Sequence, residues 1–209
     1  MQKLATAGLI ALLCLLLVWN GSAAEALKPD SEGYIRDWVM LAPIAVPEGS
    51  EAIFQEQIKD EAALRPKAGD QVKIRGKELR WQNITASTNY FDFNAILKTV
   101  NDHAAGYMVT YIECETETPD VIMAVASNDE GRIYFNGVDI YLFSEPRPLM
   151  LDADRGRVTL KQGVNVVVFK VINEQNSWQG AMRLLDKTGA PLKGVKIKLS
   201  PEGAAAPLK

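Results

Sequence analysis

Positive charge, cysteine and histidine are all scarce in this chain, and each scarcity excludes a class of function. Lys and Arg number 23 against 26 Asp and Glu, for a formal net charge of −3, so the basic footprint of a nucleic-acid binder is missing. The two cysteines are Cys14 and Cys114. Cys14 lies inside an N-terminal apolar run, which leaves Cys114 with no partner for an internal disulfide, so a packed core must hold the fold. Cys114 itself reads as a small buried hydrophobe rather than a redox group. His103 is the single histidine; it sits in the polar stretch "NDHAAG" with no nucleophile beside it, and a surface histidine is expected there rather than a catalytic base. No apolar run after the first one is long enough to read as a membrane helix.

What is present begins with a leader-like segment. Lys3 supplies positive charge, Leu4 to Val18 is apolar without an acidic residue, and Ser22-Ala23-Ala24 places small residues at a cleavage site. Residues 1–24 are therefore expected to be a secretory signal peptide cut after Ala24 or Ala26, with a retained N-terminal anchor as the alternative. That predicts an exported protein, periplasmic or extracellular, with no membrane span after cleavage. Removing Lys3 takes the net charge to about −4. About 185 residues remain, enough for one domain, predicted over 34–200. The tail 201–209, with its Gly-Ala-Ala-Ala-Pro run, is expected to be disordered.

From Tyr34 onward the pattern is strand-rich. "IRDWVMLAPIAV" (Ile35–Val46) reads as a strand with an irregular exit at Pro43, which cannot donate to a central ladder. "SEAIFQEQIKDEAAL" (Ser50–Leu64) predicts one short amphipathic helix: Ser50 can cap it, and Ile53, Phe54, Ile58, Ala62 and Leu64 fall near one face. Asp70–Ile84 alternates across Gly76 as one or two strands, while "YFDFNAIL" (Tyr90–Leu97) is open between a strand and a helical turn. In Gly106–Asp120 the period of two puts Glu113, Glu115 and Glu117 on a wet face and turns Ile112 and Cys114 inward. Shorter strands follow at Val121–Ser127, Arg132–Asn136 and Asp139–Phe143, joined by glycine-closed turns that read as a hairpin. Asn165–Ile172 is β-branched throughout most of its length, the signature of a strand buried on both faces. A strand and a turn over Trp178–Gly189 and a last strand at Lys196–Leu199 complete an all-β antiparallel sandwich.

Several phrases carry a family resemblance in their order: "DWVMLAPI", "YFDFN" before "GYMVTYIECETE", "SNDEGRIYFNG", and "LKQGVNVVVFKVINEQNSWQGAMRLLDKTG". From about Trp38 to Gly189 the chain resembles galactose-binding-domain-like jelly rolls, the sugar-binding-like modules found with bacterial glycoside hydrolases and other secreted proteins. One departure is Ala42-Pro43-Ile44, where the first strand of such modules usually ends Gly-Pro-Phe. The resemblance implies a jelly-roll β-sandwich and a non-catalytic binding module with glycan as the leading ligand. Fold likeness carries function only by association. A cell-envelope structural or assembly module is the alternative, with a cell-envelope protein as partner, and a small glycan hydrolase stands third.

Sugar recognition needs an exposed ring against the apolar face of the sugar and polar groups for its hydroxyls. Trp38 and Trp178 have apolar neighbours and are expected in the core. Trp81, Tyr90 and Phe91 flank the polar loop "QNITASTN" and Tyr107 follows another loop, so these four are the candidate platform, with Asn89 and Arg147 as hydroxyl partners. Packing competes with binding at each of them. Asn128, Asp129 and Glu130 read as turn chemistry before ligand chemistry. Asp152 and Asp154 lack a full calcium-loop spacing; the expectation is no cofactor, with structural calcium the option left open.

Overall fold

The structure is a computed structural model in which residues 26–204 are described; the expected signal peptide lies outside them. The described chain forms β1 (Asp37–Ala45), β2 (Gln71–Ile74), β3 (Lys77–Arg80), β4 (Gln82–Thr85), β5 (Phe91–Asp92), α1 (Phe93–Leu97), β6 (Ala104–Cys114), β7 (Thr118–Asn128), β8 (Glu130–Phe135), β9 (Val138–Phe143), β10 (Asp154–Leu160), β11 (Gly163–Asn173), β12 (Gln179–Leu185) and β13 (Val195–Lys198). A larger sheet runs β4-β1-β6-β11-β8-β9, and β13 pairs with the last residues of β6 beyond the end of β1. A smaller sheet runs β10-β7-β12-β5, and β2 with β3 forms a separate hairpin. Every strand pairing is antiparallel, and the fold is a β-sandwich.

Side-chain alternation explains why the larger sheet sits in the middle of the molecule. On its inner face Trp38 and Met40 of β1, Met108 and Ile112 of β6, and Val167, Phe169 and Val171 of β11 meet Met123, Val125, Met182 and Leu184 of the smaller sheet. The intervening residues Val39, Leu41, Tyr107, Val109, Val166 and Val168 point the other way. They are covered by the excursion from Val46 to Trp81, which contributes Ala52, Ile53, Ile58, Ile74 and Trp81. Two-sided burial is why β11 reads as a nearly unbroken apolar run. Pro43 lies inside β1, and the ladder to β6 shifts register between Leu41 and Ile44, so the irregular exit expected there is a bulge within a longer strand.

The expected helix over Ser50–Leu64 does not form. The segment is a series of turns with one short 3-10 turn at Glu61–Ala63, and Phe54, placed by periodicity on the apolar face, is 52% exposed. Its carbonyls are taken by distant partners: Lys170 Nζ donates to the Ile53 oxygen at 3.3 Å and the Gln55 oxygen at 2.6 Å, and Arg132 donates to Ile53 at 3.2 Å. Gln57 Nε2 takes Ala52 and Gln55, and Asp60 adopts a left-handed φ of 54°. The one short α-helix among the described residues is α1, capped by Asp92 Oδ1 accepting from the Ala95 N–H at 2.9 Å, in the stretch that was open between strand and helix.

Glu61 and Lys170 anchor this cover. Both are fully buried and lie 3.2 Å apart, and the hydroxyls of Tyr107 and Tyr134 also donate to the Glu61 carboxylate, Tyr134 at 2.6 Å. Burial pushes the Lys170 ammonium below its usual range, against the pull of Glu61, and holds both tyrosines in the neutral form.

The stretch "SNDEGRIYFNGVDIY" splits into two devices. Asn136 and Gly137, with φ of 52° and 89°, close the β8–β9 hairpin. Asn128 and Asp129 instead form a corner, because β7 belongs to the smaller sheet and β8 to the larger. Of the three glutamates in the Gly106–Asp120 stretch, Glu113 lies within β6 beside Lys198, whereas Glu115 and Glu117 lie in the exposed turn that follows. At the C-terminal end of the described chain, the Ala204 N–H donates to the Pro201 carbonyl at 2.8 Å and Ala204 bridges to Val164.

Candidate functional site

The loop after β4 and the start of α1 enclose a shallow cleft of about 250 Å³ lined by Thr85, Ala86, Ser87, Thr88, Tyr90, Asp92, Ala95 and Ile96. Its shape follows from two anchors. Thr85 Oγ1 donates to Asp37 Oδ1 at 2.6 Å, fixing the end of β4 against β1, and the Ala86 N–H donates to the Arg36 carbonyl at 2.8 Å. At the other end Thr88 Oγ1 donates to the Tyr90 carbonyl at 2.9 Å, and Asp92 is held by the Ala95 N–H and by Gln179 Nε2 at 2.8 Å. Between these points stand the half-buried Tyr90 ring and the exposed Ser87 and Thr88 side chains. The cleft thus brings together Tyr90, whose side chain also packs against the Tyr34, Ala126 and Ala181 cluster, with hydroxyls and a carboxylate on a pinned loop.

Of the six candidate residues, Tyr90 lines this cleft and Asn89 is next to it in the chain, its Nδ2 donating to Glu32 Oε2 at 3.2 Å. The other four are elsewhere, and three present no free ring. Phe91 is 1% exposed because its ring lies over Gly180, where an added Cβ would come within 2.4 Å of it; it packs edge-on to Trp38, Phe93 and Phe169. Trp81 is buried between the β2–β3 hairpin and the outer face of the larger sheet. Tyr107 is fully buried with its hydroxyl on Glu61. Alternation along a strand decides these cases: with both faces of the larger sheet covered, no ring on β6 can reach water.

Arg147 is a clip. It donates to the Ser127 carbonyl and hydroxyl at 3.2 Å each, to the Tyr141 hydroxyl at 2.7 Å and to Asp154 at 2.6 Å, with its guanidinium 3.5 Å from the Phe143 ring centre. Burial, together with the Asp154 carboxylate, pushes the Tyr141 hydroxyl up to about 12. The arginine ties the loop after β9 to the corner of the smaller sheet and keeps few donors for a ligand. Trp38 and Trp178 are both fully buried, as their apolar neighbours imply, and Trp178 stacks on Phe93 at 4.1 Å.

Sequence reasoning missed the acidic corner. Glu130 lies beside Glu174 and Asp129, and burial followed by those two carboxylates raises it to about 7. His103 Nδ1 stands 3.5 Å from Glu174 Oε2, and His103 adopts a left-handed φ of 48°. His103, the Asp129-Glu130 pair and Glu174 are far apart in sequence, and only the pairing of β8 and β6 with β11 brings them together. None of them lines the cleft at Tyr90. Among the described residues no group of three or more His, Cys, Asp or Glu side chains converges to hold a metal ion, and no helix is long and apolar enough to cross a membrane.

No family profile matches the chain, and no curated protein matches it. Among solved structures it is similar to the "PA14 domain of MpAFP Antifreeze protein", at 10% identity over 84% of this chain and 96% of that one, with a TM-score of 0.40. A likeness at that level carries no argument about function. The sandwich itself is established by the pairing of its strands; a specifically galactose-binding-domain-like membership is not.

Proposed function

We propose that the chain is an exported, non-catalytic carbohydrate-binding module of the galactose-binding-domain-like kind, and that its glycan lies in the cleft at Tyr90. The observation that carries this reading is the half-exposed Tyr90 ring beside the Ser87 and Thr88 hydroxyls and the Asp92 carboxylate, on a loop fixed at both ends. An aromatic face against the apolar side of a sugar, with polar groups replacing the water on its hydroxyls, is the chemistry such a cleft supports. A shallow cleft of this size holds one or two sugar rings, so binding to a single sugar is weak. The module works without a resident cofactor, and chelation of divalent cations leaves binding unchanged.

The direct test is a glycan array probed with the full-length protein, its Tyr90→Ala variant and a Trp81→Phe control. Binding that is lost in Tyr90→Ala and kept in the control supports the site. Binding that survives Tyr90→Ala, or no binding to any glycan by folded protein, overturns it.

A second reading has an observation of its own. Val138, Ile140 and Leu142 of the edge strand β9, and Met150 and Leu151 after it, are large apolar residues between 40% and 61% exposed. An exposed apolar edge favours strand addition by a partner, the mode expected of a cell-envelope assembly module. Co-sedimentation that is abolished by Ile140→Lys would favour this reading over the sugar site.

A further inference from the structure

A larger cleft than the one at Tyr90 lies elsewhere in the fold. About 540 Å³ opens between the end of β1, the β2–β3 hairpin and the loop before β6. That volume falls within the range of small-molecule sites. Its apolar surface comes from three separate parts of the chain: Pro43, Ile44 and Ala45 of β1, Ile74 and Leu79 of the hairpin, and Val100 on the loop. Val100 is 66% exposed at this cleft, the barest large apolar side chain among the described residues.

The polar groups around this surface are unequal. On the loop wall Asn101 Nδ2 donates to Asn94 Oδ1 at 3.3 Å and to the Thr99 carbonyl at 2.9 Å, and Asp102 supplies one carboxylate whose Oδ1 accepts from the Asn176 N–H at 2.9 Å. On the hairpin wall two cations stand ready. Arg75, at the hairpin turn with a left-handed φ of 47°, is fixed by donating to the Ala45 carbonyl and to Gln57 Oε1 at 2.6 Å, with further N–H groups to spare. Lys77 makes no hydrogen bond or ion pair that holds its ammonium among the described residues. Two cations on the hairpin wall outweigh the single Asp102 carboxylate opposite, so beside the apolar floor the cleft matches a ligand that is apolar at one end and anionic at the other.

We infer that this cleft is a second binding site, for a small aliphatic carboxylate whose chain lies on Ile44, Ile74, Leu79 and Val100 and whose carboxylate meets Lys77 and Arg75. The site is independent of the glycan cleft: no lining residue is shared.

The probes are hexanoate and hexylammonium, which share an apolar body and differ in the sign of the head. Each is titrated into the ¹⁵N-labelled full-length protein while amide shifts are followed. Hexanoate is expected to move the amides of Ala45, Arg75, Lys77 and Val100 saturably, and hexylammonium is not. Lys77→Glu and Val100→Asp, both at exposed positions where folding is insensitive, should each weaken hexanoate binding by about tenfold. Tyr90→Ala should leave it unchanged, which separates failure here from failure at the glycan cleft. Hexylammonium binding as tightly as hexanoate, hexanoate shifts that never saturate, or full hexanoate affinity in Lys77→Glu would each overturn the assignment.

Discussion

The pair Lys170 and Glu61 shows how far a single residue can reach in this fold. A lysine in a β-branched strand looks misplaced in sequence, yet its ammonium spans 117 positions to the Ile53 carbonyl and 109 to Glu61. Removing one partner of a buried pair leaves the other charge stranded, which costs about 3–5 kcal/mol. Glu61→Ala is therefore expected to lose about that much stability in urea denaturation, while Glu61→Leu combined with Lys170→Met loses less than Glu61→Ala alone. Glu130 gives a second prediction at this scale. Its folded-state value of about 7 lies above the ordinary 4.5, so between those limits the folded chain keeps a proton that the unfolded chain has released. Stability from this group is present at low pH and falls as pH rises through that window. Glu130→Gln should flatten that fall and gain about 1 kcal/mol at pH 8, a figure already discounted for the group's partial exposure; thermal melts across the pH range read it out.

At the scale of the element, strands were legible wherever one physical rule governed them. The two-sided burial of β11 was visible in its composition, and the β8–β9 turn in Asn136-Gly137, because both are local properties. The segment from Ser50 to Leu64 was not, since its periodicity suits a helix and only the side chains of Lys170, Arg132 and Gln57 decide that its carbonyls go elsewhere. The corner at Asn128-Asp129 was equally hidden: a polar turn looks the same whether the next strand joins its neighbour or crosses to the other sheet. The pairing of β5 with β12 depends on a space no sequence pattern announces, the absence of a side chain at Gly180. An added methyl there would meet Phe91 at 2.4 Å and Phe169 at 3.3 Å. Gly180→Ala should cost about 1–3 kcal/mol through overpacking, seen as a lowered denaturation midpoint with an unchanged slope.

For the whole molecule, the covered outer face of the larger sheet separates surface from core among the aromatics, and so decides which sequence-predicted site residues remain available. Tyr107 is enclosed by the excursion that supplies Glu61, Trp81 is buried as part of that excursion, and Phe91 is enclosed by the packing of the two sheets. The sequence reads from Gln82 to Asn89 as one polar loop, but Gln82–Thr85 is the edge strand β4 and the loop begins only after it, because hydroxyl and amide residues suit an exposed edge strand as well as a loop. What it could not place was which of the flanking rings turns outward, since that depends on the register of β4 against β1 and of β5 against β12. Tyr90 is the one of those rings that lines the cleft after β4.

The most direct test of that conclusion is an isothermal titration of the full-length protein and its Tyr90→Ala variant with the best glycan from an array. The account predicts saturable heat for the native protein and at least a roughly tenfold loss of affinity in the variant, the order of one stacking contact of about 1.5 kcal/mol. Equal affinity in both proteins would contradict a sugar site at Tyr90 and turn attention to the exposed edge of β9.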